Sequence, residues 1–141
     1  MAARSLSLDG TRKLTITSMG AIADHSIQPP FVALLPAYSA PERQQAAGLT
    51  KELINFGCVE FCCVGPEAEL LHDALDEIIE ADGALEVVTT WIEDPTEGSE
   101  YFLHAAAGGR ANLLALVHSR PELQVLLEEE ARRDDHIEPP N

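Results

Sequence analysis

The stretch Phe31-Val-Ala-Leu-Leu-Pro36, Ser39-Ala-Pro-Glu42, Gly57, Cys58-Val-Glu-Phe-Cys-Cys-Val64 decides the fold. Phe31 to Leu35 is an unbroken apolar run, as expected of a strand covered on both faces. Ser39 and Glu42 have the spacing of a capping box, in which the serine hydroxyl accepts from the Glu42 amide while Glu42 reaches back. The helix so begun sets Ala46, Leu49, Leu53 and Phe56 on one stripe. Gly57 stops it where a left-handed residue is wanted. Cys58 to Val64 is a second apolar strand, so this stretch is one complete βαβ unit.

The same alternation continues to the end of the chain. Pro66 suits the first turn of a helix running to about residue 81, with Leu71, Ala74, Leu75, Ile78 and Ile79 buried and Asp82-Gly83 closing it. Leu85 to Trp91 is a third strand, rich in β-branched residues. Asp94-Pro95-Thr96-Glu97 caps a short helix through Tyr101, Phe102 and Ala105 that ends at Gly108-Gly109. Asn112 to His118 is a fourth apolar strand, and Ser119-Arg-Pro-Glu122 caps a last helix carrying Leu123, Leu126 and Leu127. Upstream, Lys13 to Ser18 alternates strictly and is expected to be a half-exposed edge strand.

These units predict a Rossmann-like, three-layer α/β/α sandwich with a mainly parallel sheet of four to five strands. The expected core order is 2-1-3-4, which places the strand holding Glu60 at an edge, where a carboxylate between Cys58 and Cys62 is easily solvated. Residues 1–30 form an N-terminal edge strand and connection, 31–133 a single α/β domain, and 134–141 a flexible acidic tail.

The 141 residues suit one domain with one core. No apolar run approaches the roughly 20 residues of a membrane helix, and Met1 to Arg12 has no signal-type apolar segment. A soluble cytoplasmic protein with no membrane association is expected. Three cysteines crowded at Cys58, Cys62 and Cys63 form no disulfide framework. Cys62 and Cys63 point to opposite faces of a strand, so one ion cannot collect all three, and they are read as small buried hydrophobes.

Net charge is −15, and it is unevenly placed: residues 1–57 sum to +1 and residues 58–141 to −16. Such a field repels phosphate backbones and anionic membranes and attracts basic partners. Nucleic-acid binding is therefore not expected. The turn after the first core strand, Pro36-Ala-Tyr-Ser-Ala-Pro41, has no glycine to cradle phosphate, and acids follow the second and third strands. No cofactor is expected.

In such sheets ligands bind beyond the carboxyl ends of the strands. That crevice is expected to be lined by Tyr38, Ser39, Thr90, Trp91 and Glu93. His72, Asp76 and Glu80 follow an i, i+4, i+8 ladder, so His72 and Asp76 are a candidate metal pair, set against an ordinary hydrogen bond between them. No catalytic residue is assigned. There is no Gly-x-Ser-x-Gly elbow, the serines act as caps, the cysteines lie inside a strand, and His118 alone is no mechanism.

His72-Asp73…Asp76 on a helix, with Thr89-Thr90-Trp91 on a strand before Glu93-Asp94, resembles an uncharacterised family of small bacterial α/β proteins, a domain of unknown function. The resemblance covers roughly residues 31–107 and implies a bacterial single-domain α/β protein without transferring an activity. The resemblance implies that relatives often carry a polar residue directly after the tryptophan; this chain has Ile92 there, which argues against a ligand role for that position.

The sequence is compatible with two functions. The first is a non-enzymatic protein-binding module that recognises a basic partner, as an immunity or antitoxin protein does. The second is a small-ligand binder or enzyme at the carboxyl-end crevice, with metal assistance from His72 and Asp76. A homodimer through an apolar sheet edge or helix face is compatible with both.

Overall fold

In the computed structural model the described residues are 4–8, 11–24 and 27–136. They form an α/β domain around one six-stranded sheet. The strands are β1 (Arg4–Leu8), β2 (Arg12–Thr17), β3 (Phe31–Pro36), β4 (Cys58–Val64), β5 (Val88–Ile92) and β6 (Asn112–Leu116). The helices are α1 (Ala40–Phe56), α2 (Ala68–Asp82), α3 (Pro95–His104) and α4 (Pro121–His136), with a 3₁₀ turn at Met19–Asp24. None is long and apolar enough to cross a membrane.

Three of the sequence signals act where they stand, whereas Pro66 lies outside α2, which starts at Ala68. Ser39 Oγ accepts the Glu42 amide at 3.4 Å, and Gly57 ends α1 at φ 112°. Asp94 Oδ2 accepts the Glu97 amide at 3.0 Å to open α3. Gly98, in the next turn, lets that helix rest on β4, because a Cβ there would come within 2.8 Å of the Val64 methyls.

The sheet order is β1-β2-β6-β3-β4-β5, antiparallel at β1–β2 and parallel elsewhere. The four core strands thus lie 4-1-2-3, not 2-1-3-4. The apolar runs β3 and β6 form the centre, and β4 sits between β3 and β5, so Glu60 is not at an edge. The strand at that edge is Val-Thr-Thr-Trp-Ile, whose polar residues tolerate water. It starts at Val88, with Leu85 left outside it and exposed. At the other end β1 adds an antiparallel strand. It moves β2 inward, where nearly every residue is buried rather than half-exposed.

Two apolar cores lie on opposite faces of the sheet. One joins Leu53 of α1 and Leu71, Leu75 and Ile79 of α2 to Phe31, Phe61 and Cys63. The other joins Phe102 and Leu103 of α3 and Leu123 and Leu127 of α4 to Val32, Cys62 and Val64. Successive steps β3 to β4 to β5 put α1 and α2 on one side, and the long return to β6 puts α3 on the other. Phe56, expected on the buried stripe of α1, is instead 43% exposed. The expectation of a mobile tail falls mainly on 137–141, outside the described residues; α4 itself continues to His136.

A bulge between Phe31/Val32 and Cys58/Glu60 breaks the alternation of β4. Cys58 therefore joins the α1–α2 core, while Glu60 and Cys62 face α3, so the three do not share a face. All three thiols are buried and unpaired with one another. Burial pushes Cys58 up to about 12 and raises Cys62 and Cys63 as well, so none is a thiolate nucleophile near neutral pH.

Candidate functional site

The order in which strands are added to the sheet reverses between the parallel strands β3 and β6, whose following helices α1 and α4 lie on opposite faces. The carboxyl-end crevice of an α/β sheet falls at this point. Side chains close it. Glu42, at the start of α1 and 8% exposed, accepts from the Tyr38 amide at 2.7 Å through Oε1. Its Oε2 accepts from Ser119 Oγ and from Arg120 Nε, each at 3.0 Å. The Arg120 guanidinium lies over the Tyr38 ring, 4.4 Å from its centroid. Glu42 thus reaches to Tyr38 rather than Ser39, and Ser119 bonds across the crevice. Burial and nearby carboxylates, Glu122 foremost, raise the Tyr38 phenol, so it stays neutral. The Tyr38 hydroxyl and His118 Nε2 are buried here without a hydrogen-bond partner among the described residues.

The other candidate binding residues lie elsewhere. β5 is separated from β3 by β4, a distance of about 10 Å at ordinary strand spacing. Thr90 registers with Cys62 and faces α3, whereas Trp91 registers with Cys63 and faces α2. One crevice cannot be lined by both. Tyr38 and Ser39 stay together at the end of β3; Trp91 and Glu93 stay together at the sheet edge.

That edge also carries the His72 pair. His72 Nε2 is 3.5 Å from Asp76 Oδ2, and His72 Nδ1 is 3.2 Å from Asp73 Oδ1. Asp76 Oδ1 accepts the Thr89 hydroxyl at 2.5 Å, which ties α2 to β5. Among the described residues no group of three or more His, Cys, Asp or Glu is placed to hold a metal.

The edge is strongly acidic, and Glu67, at the start of α2, pairs with Arg43 of α1 at 2.7 Å. Residues 58–109, which build β4, α2, β5 and α3, contain thirteen Asp and Glu and no Lys or Arg. Glu69, Asp73, Glu77, Glu80, Glu86, Glu93 and Glu97 are exposed there. Among them lie exposed apolar side chains: Trp91 (39%), Val88 (49%), Leu85 (73%) and Leu70 (54%).

Behind the edge, Glu60 is only 4% exposed. Its Oε2 accepts from Tyr101 Oη at 2.6 Å and Thr90 Oγ1 at 3.2 Å, and its Oε1 accepts from the Ala107 amide at 2.9 Å. Ala107 turns that amide inward from a left-handed conformation, φ 52° and ψ 33°. Burial and the adjacent Glu60 raise the Tyr101 phenol, which stays a donor. Both carboxylate oxygens are engaged, so the cluster locks β4, β5 and α3 together. Away from all these features, a pocket of about 310 Å³ opens beside the start of β2, lined by Thr11, Lys13, Thr15, Ile27, Gln28 and Asn112.

A family model described as a domain of unknown function, DUF7684, matches residues 12–131. The chain belongs to the DUF7684 family. No curated protein and no solved structure matches it. The matched region of this DUF7684 chain reaches beyond residues 31–107 to take in β2 and most of α4.

In this DUF7684 domain the reading of the sequence missed the Glu60 cluster and the Glu42–Arg120 closure. Both join residues distant in the chain: Glu60 to Tyr101 and Ala107, and Glu42 to Ser119 and Arg120. The available signal was a lone acid inside an apolar strand, which needs either an edge or buried donors.

Proposed function

We propose that this DUF7684 domain is a non-enzymatic protein-binding module whose acidic surface recognises a basic partner protein, in the manner of an immunity or antitoxin protein that covers a cationic site. The observation that supports it is the acidic edge: residues 58–109 contain no Lys or Arg, and Glu69, Asp73, Glu77, Glu80, Glu86, Glu93 and Glu97 are exposed on elements that flank an exposed strand. A one-signed field of this kind raises the encounter rate with cationic surfaces and rejects anionic ones. A cytoplasmic setting suits the three free thiols. The alternative, a ligand or reaction at the carboxyl-end crevice, has less support, because Glu42, Ser119 and Arg120 already bond to one another there.

Affinity capture from the source cell at low and high ionic strength tests the proposal. Basic proteins retained at low salt and released at high salt are expected, because the screening length shrinks from about 30 Å at 0.01 M to about 8 Å at 0.15 M. An unchanged set of partners across that range, or no partner at either salt, refutes it.

A further inference from the structure

Among the described residues β5 has a strand on one side only. The Gly65 amide donates to the Ile92 carbonyl at 3.2 Å, so the backbone of Ile92 faces β4. N–H and C=O of one residue point to the same side of a strand, and alternate residues point oppositely. The backbone groups of Thr90 and Val88 therefore also face β4, while those of Thr89 and Trp91 face outward.

Natural edges are blunted by lysine, proline, bulges or a covering element. Val88-Thr-Thr-Trp-Ile92 contains no lysine and no proline, its register with β4 is unbroken, and its residue types favour strand pairing. What guards this edge is charge. A second copy pairing here would bring two acid-only edges together, so the guard excludes self-pairing and admits a cationic strand.

The two faces of the edge differ usefully. On the α2 side stand Trp91 and Asp76, which bonds Thr89, with Asp73 and Glu80 at i−3 and i+4 from Asp76 on α2. On the α3 side stands Val88, in register with Glu60 and on the face of Tyr101. A strand with basic residues at alternate positions would direct them to the α2 carboxylates and the Trp91 ring, where cation–π contact adds to ion pairing. Its apolar residues would fall on the Val88 side.

We propose that the free edge of β5 takes up a basic extended segment of a partner protein as a seventh strand. This rests on the reading of the domain as a binder of basic proteins and specifies where and how it binds.

The test uses the whole chain and a blocked peptide of about eight residues in which Lys and Val alternate. A second peptide is identical but N-methylated at alternate residues, which removes one edge of donors and keeps the charge. Oligolysine serves as a charge-only probe. Trp91 is the sole tryptophan, so its fluorescence reports binding in the wild type, and a labelled peptide reports it for Trp91→Ala and Trp91→Pro. Both variants lose the ring, but only proline also removes the outward N–H while leaving the β4 ladder intact.

Strand addition predicts that the N-methylated peptide binds about tenfold more weakly than its parent, and Trp91→Pro several-fold more weakly than Trp91→Ala. The peptide comparison stands even if Trp91→Pro does not fold. If both peptides bind the wild type alike, strand addition is overturned while charge recognition survives. If neither peptide nor oligolysine binds, recognition of basic proteins falls with it. If the chain self-associates through β5 and the peptide does not compete, a second copy is the occupant and the proposal is overturned.

Discussion

Replacing Glu60 by alanine tests the least expected feature of this fold, a carboxylate buried inside the sheet. Alanine leaves the Ala107 amide without its acceptor at 2.9 Å, and an orphaned buried donor costs about 1–3 kcal/mol. The other donors suffer less: Tyr101 is half-buried and recovers water, and Thr90 Oγ1 has the Phe61 carbonyl at 3.4 Å. Lost side-chain packing adds about 1 kcal/mol. The expected loss is therefore roughly 2–4 kcal/mol, a large share of the 5–15 kcal/mol typical of a domain. Glu60→Gln keeps a carbonyl for the Ala107 amide and is expected to cost about 1–2 kcal/mol. Urea titration followed by far-UV circular dichroism measures both, with the denaturant slope unchanged. If Glu60→Ala lies within about 0.5 kcal/mol of wild type, the level of an ordinary surface change, or if glutamine costs more than alanine, the buried cluster is wrong and Glu60 is solvated, as an edge placement would have it.

Three further predictions follow from the same structure. Ala107→Gly is expected to stabilise the domain by up to about 1 kcal/mol by relieving the left-handed alanine, and Gly108→Ala, at φ 70°, to destabilise it by about as much; thermal melting checks the opposite signs. Glu42→Ala is expected to cost about 2 kcal/mol in the same titration, below the 3–5 kcal/mol of a fully buried pair because Arg120 keeps some solvent. The third concerns pH. Cys58 is raised from 9.0 to about 12 by burial, so its thiol ionises in the unfolded chain first. Stability is then full below about pH 9 and falls as pH rises from about 9 to about 12. Cys58→Ala should reduce that slope by up to about 1.4 kcal/mol per pH unit, measured by denaturant titration across this range; an unchanged slope contradicts the buried thiol.

Local signals carried the elements, and non-local ones decided their arrangement. Ser39, Gly57 and Asp94 act on residues within four positions of themselves, so the helix boundaries they mark were legible. Strand order was not, because it turned on Glu60. An acid in an apolar strand is stable either at an edge or among buried donors, and those donors arise about 30 to 47 residues away, at Thr90, Tyr101 and Ala107. The better edge marker was Thr89-Thr90-Trp91, since central strands of a parallel sheet are apolar on both faces. Of the site residues, Trp91, Glu93, His72 and Asp76 do gather on one margin of the sheet. Tyr38 and Ser39 do not join them, because β4 stands between, and Thr90 turns to the opposite face to bond Glu60. The charge asymmetry was legible in outline; that its acid-only part frames an open strand required the fold.

Amide chemical-shift mapping during titration of the isotope-labelled domain with the alternating Lys-Val peptide tests the central claim, that this margin of the sheet is the binding surface. Saturable shifts concentrated in residues 88–92 and on the β5-facing turns of α2, fading as salt is raised, are predicted. Shifts centred on Tyr38 and Arg120, or scattered over the surface without saturation, would contradict it.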